Sequence, residues 1–253
     1  MIRSIFIAIL AFLVFVPVAQ SDENTNHREL LSKHYRLEKP DGEGPFPAVM
    51  LVPACSSFNN SKAPNFYKNV QNKLVELGFV TLRVDYIAAR NIESCMGTNT
   101  TSAGNDICIA ADYLNQQTFV KKGAVNVIGW SFGGAAVFRA LRSTGSKKAA
   151  QVDAAVTYHP YCNAARRWKS DVPVLVLMGT KDNITPVTAC EYLFSTLPKR
   201  DRLTIRIYED AHHLFDMDEL PPETTSSVVT GSIGYNKAAA EAAWIEVTKF
   251  LKR

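Results

Sequence analysis

Charge of one sign is never gathered in this sequence. Its 28 Lys and Arg against 24 Asp and Glu leave a net +4 over 253 residues, and the basic residues run no further than doublets such as Lys121-Lys122, Lys147-Lys148 and Arg166-Arg167. A surface that tracks a phosphate backbone needs a basic stripe, so nucleic acid is not an expected partner. Metal-binding spacings are missing too: there is no C-x-x-C and no H-E-x-x-H, so no zinc site is expected. No internal repeat or low-complexity linker interrupts the chain, which argues against a solenoid and for one domain. With 13 Gly and 12 Pro beside 47% hydrophobic and 21% charged residues, the composition is that of an ordinary globular protein. A chain of this length buries roughly 70% of its unfolded surface and needs no stapling to hold a core.

Long apolar runs are scarce as well, and the one present lies at the start. Arg3 precedes twelve uninterrupted apolar residues, Ile5 to Val16, followed by Pro17, Ala19 and Ser21 and then the polar Asp22-Glu23-Asn24. This is the plan of a secretory signal peptide. A helix of that length rises only about 18 Å, short of a hydrocarbon core of roughly 30 Å, so an uncleaved membrane anchor is the weaker reading and no stable span is expected once the leader is removed. Residues 1–21 are read as the leader, residues 22–253 as a single domain, and the mature chain as secreted or periplasmic.

Export places the five cysteines, Cys55, Cys95, Cys108, Cys162 and Cys190, in an oxidising compartment, where two disulfides and one remaining thiol are the simplest arithmetic. Spacing leaves the pairing open. The expected pairs are Cys95 with Cys108, which flank one loop, and Cys162 with Cys190, each just beyond an expected strand, leaving Cys55 over. Glycosylation sequons begin at Asn59, Asn99 and Asn183.

From Phe46 onward, short apolar runs alternate with longer helical patterns. Expected strands cover Phe46–Val52, Phe79–Val84, Ala124–Gly129, Val152–Tyr158, Val172–Met178 and Leu203–Tyr208. Most are nearly continuous in apolar residues, which suits strands buried on both faces of a parallel sheet; Leu203–Tyr208 alternates and is placed near an edge. Helices are expected near Lys62–Leu77, Asn105–Leu114, Ser131–Arg142, Val187–Leu197 and Asn236–Leu251. Thr185 is the expected cap of the fourth, with Pro186 in its first position. The result is an α/β class chain, a mostly parallel central sheet with helices on both faces, whose ligands bind at the carboxyl ends of the strands.

Chemistry concentrates in Gly129-Trp130-Ser131-Phe132-Gly133. An apolar strand leads into this G-x-S-x-G run and a helix-compatible stretch leads out, the setting a nucleophile elbow requires. A serine hydroxyl is a poor nucleophile until a base takes its proton, so the chain must also supply a histidine and an acid to orient it. Asp182, just past the end of a buried strand, is the preferred acid. Asp171 precedes that strand and would sit at the opposite edge of the sheet, and Asp210 and Asp216 read as solvated loop charges. His212 and His213 follow the last strand; His27 and His34 lie in the leading segment and His159 follows an earlier strand. Chemistry alone does not choose between His212 and His213.

The elbow, the acid loop and above all Tyr208-Glu209-Asp210-Ala211-His212-His213-Leu214-Phe215-Asp216 resemble the dienelactone hydrolase family of α/β-hydrolases, whose ending reads roughly Y-x-x-A-x-H-x-F-D. The similarity extends from about Pro45 to the terminus. It selects His213 and implies the α/β-hydrolase fold, a triad of Ser131, Asp182 and His213, no cofactor, and a small ester, lactone or related acyl substrate. Two features depart from the pattern. Members named for dienelactone cleavage carry cysteine at the elbow, where this chain has Ser131, and many relatives read H-G-C-G-G where this chain reads Pro53-Ala54-Cys55-Ser56-Ser57. The oxyanion donors are the backbone N–H of Phe132 and, by the resemblance, of Cys55. Trp130, Phe132, Tyr86, Tyr161 and Phe215 are candidates for an aromatic substrate pocket. The expected activity is that of an exported serine esterase; the alternatives are a peptidase or thioesterase on the same fold, or a binding protein that kept the scaffold without turnover.

Overall fold

The computed structural model describes residues 19–58, 61–142, 151–198 and 200–252. Most of the expected leader, the sequon at Asn59 and the Lys147-Lys148 doublet lie outside the described residues. Among those described, no helix is long and apolar enough to cross a membrane.

Seven strands form the central sheet: β1 (Tyr35–Glu38), β2 (Phe46–Val52), β3 (Val80–Val84), β4 (Val120–Trp130), β5 (Ala154–Tyr158), β6 (Val174–Gly179) and β7 (Leu203–Tyr208). Their order across the sheet is β1-β3-β2-β4-β5-β6-β7, and every pairing is parallel except that of β1 with β3. The alternating segment Leu203–Tyr208 is indeed an edge strand. A short antiparallel ribbon, β8 (Thr224–Thr225) with β9 (Ser232–Ile233), stands apart from the sheet.

Side chains of a strand point alternately to its two faces, and the core divides on that period. Ala48, Met50 and Val52 of β2 pack with Val127 of β4 on one face, together with Leu31 of α1 (Ala19–Lys33), the apolar side of α3 (Thr100–Asn115), α4 (Phe132–Leu141) and Phe194 of α5 (Val187–Ser195). Val49 and Leu51 turn to the other face with Ile128 and Trp130, under α2 (Phe66–Glu76) and α6 (Lys237–Leu251). Helices therefore cover both faces, as expected for a sheet whose strands are apolar throughout.

Chain order reverses direction at β2, since β3 lies on one side of it and β4 on the other. At such a switch point the loops leaving neighbouring strands diverge to opposite faces and open a crevice at the carboxyl ends. The loop after β2 and the turn after β4 flank that crevice.

Two sequence expectations are corrected here. Cys95 pairs with Cys55, not Cys108, while Cys162–Cys190 forms as expected. Cys108 is carried on α3 with its Sγ directed at Ala140 of α4, whereas the Cys95 amide donates to the Cys55 carbonyl at 2.9 Å, which brings the loop after β2 against the segment before α3. Thr185 does not cap α5: Pro186 occupies the cap position with no side-chain hydrogen bond, because the Thr185 hydroxyl is spent on Asp182 at 2.8 Å.

Candidate active site

Three backbone segments meet at the crevice. A Cβ placed on Gly133 would lie 2.3 Å from Pro53 O and 2.6 Å from Val52 O, and one on Gly129 would lie 2.7 Å from Gly133 C. Only glycine lets the end of β2, the end of β4 and the start of α4 come this close. Between those glycines Ser131 adopts φ 49°, ψ −112°, a conformation an L residue holds only when its surroundings enforce it. Its amide donates to Tyr158 O at 2.8 Å and its carbonyl accepts from Ala135 at 2.9 Å, so the strained turn is anchored to β5 at one end and to α4 at the other. The hydroxyl is left facing the cavity.

His213 arrives from the loop after β7. Its Nε2 lies 2.8 Å from Ser131 Oγ and its Nδ1 lies 2.7 Å from Asp182 Oδ2. The Gly234 amide donates to the His213 carbonyl at 3.0 Å, and His213 bridges to Ile233 of β9, so the small ribbon fixes the height of the ring. His212 turns the other way, 3.9 Å from Glu223. Adjacent residues in an extended loop point apart, and the ribbon decides which one faces the serine.

Asp182 is buried beyond β6. Its Oδ1 accepts from the amides of Ile184 and Thr185 at 2.9 and 2.8 Å, and its Oδ2 accepts from His213 and the Thr185 hydroxyl. Burial pushes its carboxyl up, but the His213 hydrogen bond, the nearby His213 and His159 rings and the Thr185 amide outweigh that and hold it below its ordinary value. Asp182 is thus an ionised acceptor that fixes Nδ1 of His213 as the protonated nitrogen and leaves Nε2 free to accept.

The loop after β2 is held from several sides. The Ala54 amide donates to Tyr67 OH at 2.9 Å, Tyr86 OH donates to Ala54 O at 2.6 Å, and the Cys55–Cys95 disulfide closes over the end. Neither the Cys55 nor the Phe132 amide has an acceptor among the described residues, and both residues line a cavity of about 730 Å³ that also exposes Ser131 and His213. Two N–H donors without acceptors at the edge of a cavity are what a developing oxyanion requires.

Of the aromatic candidates for the pocket, Phe132 and Tyr161 line that cavity. Trp130, Tyr86 and Phe215 are fully buried. Strand alternation explains Trp130, whose side chain leaves the sheet on the face opposite the helix that follows the serine and meets Phe66, Tyr67 and Tyr158. Asp216 is corrected as well. Its side chain is only 7% exposed, and it accepts from Trp130 Nε1 at 2.6 Å.

Nothing in the sequence marks Tyr67, and it marks Thr185 and Tyr86 for other roles, a helix cap and a pocket wall, while His159 is passed over as the base. An acid followed three residues later by threonine is the pattern of a local turn closed by the acid side chain, which could have marked Thr185. The tyrosines carry no such signal, because their partners are backbone atoms distant in sequence.

No curated protein matches this chain in sequence. Among solved structures, a candidate dienelactone hydrolase from Klebsiella pneumoniae superposes with TM-score 0.68 at 16% identity, over 87% of this chain and 92% of that one. An esterase from the planctomycete Thermogutta terrifontis, solved with propionate, gives TM-score 0.59 at 14% identity, over 85% of this chain and 86% of that one. The same esterase phosphorylated by paraoxon gives 0.60 at 15% identity, over 86% and 87%. The family match runs from residue 34 to residue 253, nearly the whole described chain. The chain belongs to the dienelactone hydrolase family, and is a hydrolase of ester bonds on the α/β-hydrolase fold.

Proposed function

We propose that the chain is an exported serine esterase in which Ser131 is the nucleophile, His213 the general base and acid, and Asp182 the group that orients and charges His213. The observation that carries this reading is the continuous contact Ser131 Oγ to His213 Nε2 to Asp182 Oδ2, at 2.8 and 2.7 Å between side chains. His213 takes the Ser131 proton as Oγ attacks the acyl carbon, and the carbonyl oxygen moves toward the amides of Phe132 and Cys55. The imidazolium returns its proton to the leaving alcohol. Water then attacks the acyl-enzyme by the same route and restores the serine. Asp182 stabilises the imidazolium without itself taking a proton. Export is supported by the leader-like first 21 residues and by two disulfides.

The cavity exceeds the volume of a small lactone, and serine stands where dienelactone-cleaving relatives carry cysteine, so the proposed substrates are uncharged carboxylic esters, with lactones admitted. The Thermogutta esterase is phosphorylated by paraoxon, and paraoxon is the direct probe of the same reading. Incubated with it, this chain is expected to gain one diethylphosphoryl group on the peptide containing Ser131 and to lose turnover of p-nitrophenyl esters in parallel. A panel of esters, thioesters and peptides read alongside separates the esterase from a thioesterase or a peptidase. Saturable ester binding with neither labelling nor turnover would instead identify a binding protein.

The Cys55–Cys95 disulfide has a functional consequence under this reading. Converting both residues to serine frees the end of the loop that carries one oxyanion donor, while Tyr67 and Tyr86 still hold Ala54. We expect kcat on p-nitrophenyl butyrate to fall roughly tenfold to a hundredfold with KM little changed, since a displaced donor weakens only the transition state. The matching change at Cys162 and Cys190, which tie α5 to the loop after β5, should lower the thermal midpoint and leave kcat close to normal. An unchanged kcat in the Cys55/Cys95 pair would remove the amide of Cys55 from the mechanism.

A further inference from the structure

Behind His213 lies a second ionisable pair that the proposed mechanism does not use. The His159 ring is fully buried, with its centroid 4.3 Å from that of His213. Its Nε2 is 3.3 Å from Asp216 Oδ1, and Asp216 Oδ2 accepts from Trp130 Nε1 at 2.6 Å. His159 has φ 38°, and its carbonyl lies 3.1 Å from the Thr185 hydroxyl that donates to Asp182. With Nε2 donating to Asp216, Nδ1 is left buried with no partner. A strained backbone and an unmet buried nitrogen are poor terms for a residue kept only to fill space, where a phenylalanine would do better.

We propose that His159 and Asp216 are positioning residues for His213: the buried imidazole fixes the plane of the reacting ring, and the carboxyl behind it supplies negative charge that stabilises that ring while it holds the serine proton. The inference rests on the reading of His213 as the base.

The surroundings fit this division of labour. Burial, and then the neighbouring His213, push the His159 imidazole well below its ordinary value, so it stays neutral and two imidazolium rings never face each other in contact. Burial pushes the Asp216 carboxyl up to about 7, with the Trp130 hydrogen bond and His213 pulling the other way. Asp216 therefore changes charge within the neutral range. It also lines a second cavity of about 200 Å³ on the α2 and α6 side of the sheet, which gives it a proton route that His159 lacks. The other ionisable groups around the pair are Asp182 in front, Tyr67 on α2, and Tyr158 and Tyr208 on the strands. Lys73, Asp218, Tyr235 and Glu241 also line the small cavity. Burial holds the hydroxyls of Tyr67, Tyr158 and Tyr208 above their ordinary range, so Asp216 is the group in this layer that titrates near neutrality. A positive charge on His213 favours the ionised form of Asp216.

The test uses Asp216→Asn, which keeps the shape and an acceptor for Trp130, and His159→Phe, which keeps the bulk of the ring. Ring NMR of His213 across pH, beside kcat/KM for a neutral p-nitrophenyl ester, reads the effect. In Asp216→Asn we expect the His213 titration and the acid limb of kcat/KM to move down together, the direction that follows from removing a negative charge behind the ring. Plateau kcat should fall roughly tenfold with KM unchanged. His159→Phe should lower kcat through a misplaced ring. A His213 titration unmoved by Asp216→Asn in a folded chain overturns the inference by itself, because the NMR readout needs no turnover. A wild-type chain that hydrolyses no ester and takes no paraoxon overturns the triad reading, and this inference with it.

Discussion

Ser131→Ala is expected to reduce ester hydrolysis by on the order of 10⁴-fold or more while leaving a folded chain. Alanine removes the oxygen that forms the acyl bond in the proposed mechanism, and the other parts of the site cannot replace it: His213 keeps its contact with Asp182, and the amides of Phe132 and Cys55 keep their places, but the proposed nucleophile is gone. Stability should change little. The backbone strain at φ 49° stays in either variant, and the lost contact is a single hydrogen bond at 2.8 Å, a net effect of about 1 kcal/mol. The measurement is steady-state hydrolysis of a p-nitrophenyl ester beside a thermal melt. Activity retained within tenfold would remove Ser131 from the mechanism.

Asp182→Asn makes an instructive contrast, because it should lower both activity and stability. Asp182 receives two amides, a hydroxyl and an imidazole, and an amide side chain would turn a donor toward some of these donors. Because the folded chain holds this carboxyl below its ordinary value, ionised Asp182 adds stability that is fully present above about pH 4 and is lost as pH falls through its folded value. The gap in melting temperature between wild type and Asp182→Asn should therefore be open at pH 7 and close in acid.

The second large effect is expected at a residue that touches no substrate. Gly133→Ala would put a methyl 2.3 Å from Pro53 O and 2.6 Å from Val52 O, both backbone atoms that cannot rotate aside. Either α4 withdraws from the sheet or the loop after β2 is pushed outward, and that loop carries Cys55. The cost should be several kcal/mol, the scale of core overpacking at a site with no slack, and the surviving soluble fraction should lose kcat through displacement of the proposed oxyanion donor. Gly78→Ala serves as control: a Cβ there meets nothing within 4 Å, although φ is +89°, so it should cost roughly 1 kcal/mol of backbone strain and leave kcat alone. A Gly133→Ala chain with normal melting and kcat would show that the three backbones are packed less tightly than described.

Much of the fold was legible because it depends on short-range pattern. Six apolar runs became six strands, with Phe46–Val52 and Leu203–Tyr208 matching to the residue. Pattern failed where polar residues build the sheet. β1 reads Tyr-Arg-Leu-Glu, an edge strand with no apolar run to mark it. The start of β4 carries Lys121, Lys122 and Gly123 on its exposed end, and the sequence reading began that strand at Ala124. The pocket was less legible still. An aromatic residue near a strand end faces either the cavity or the core according to a single step of register, and for Trp130 that step points inward, away from the serine.

What the sequence determined by itself is the class of fold, the strained serine turn, and the chain order of serine, acid and histidine, since each is written in local spacing and in which residues can tolerate a given backbone. Only the tertiary structure decided that Cys95 pairs with Cys55, that Trp130 turns away from the cavity, and that Asp216 is enclosed rather than solvated. Those outcomes rest on contacts between segments far apart in the chain, where small differences in loop path place one side chain within bonding distance and its neighbour outside it.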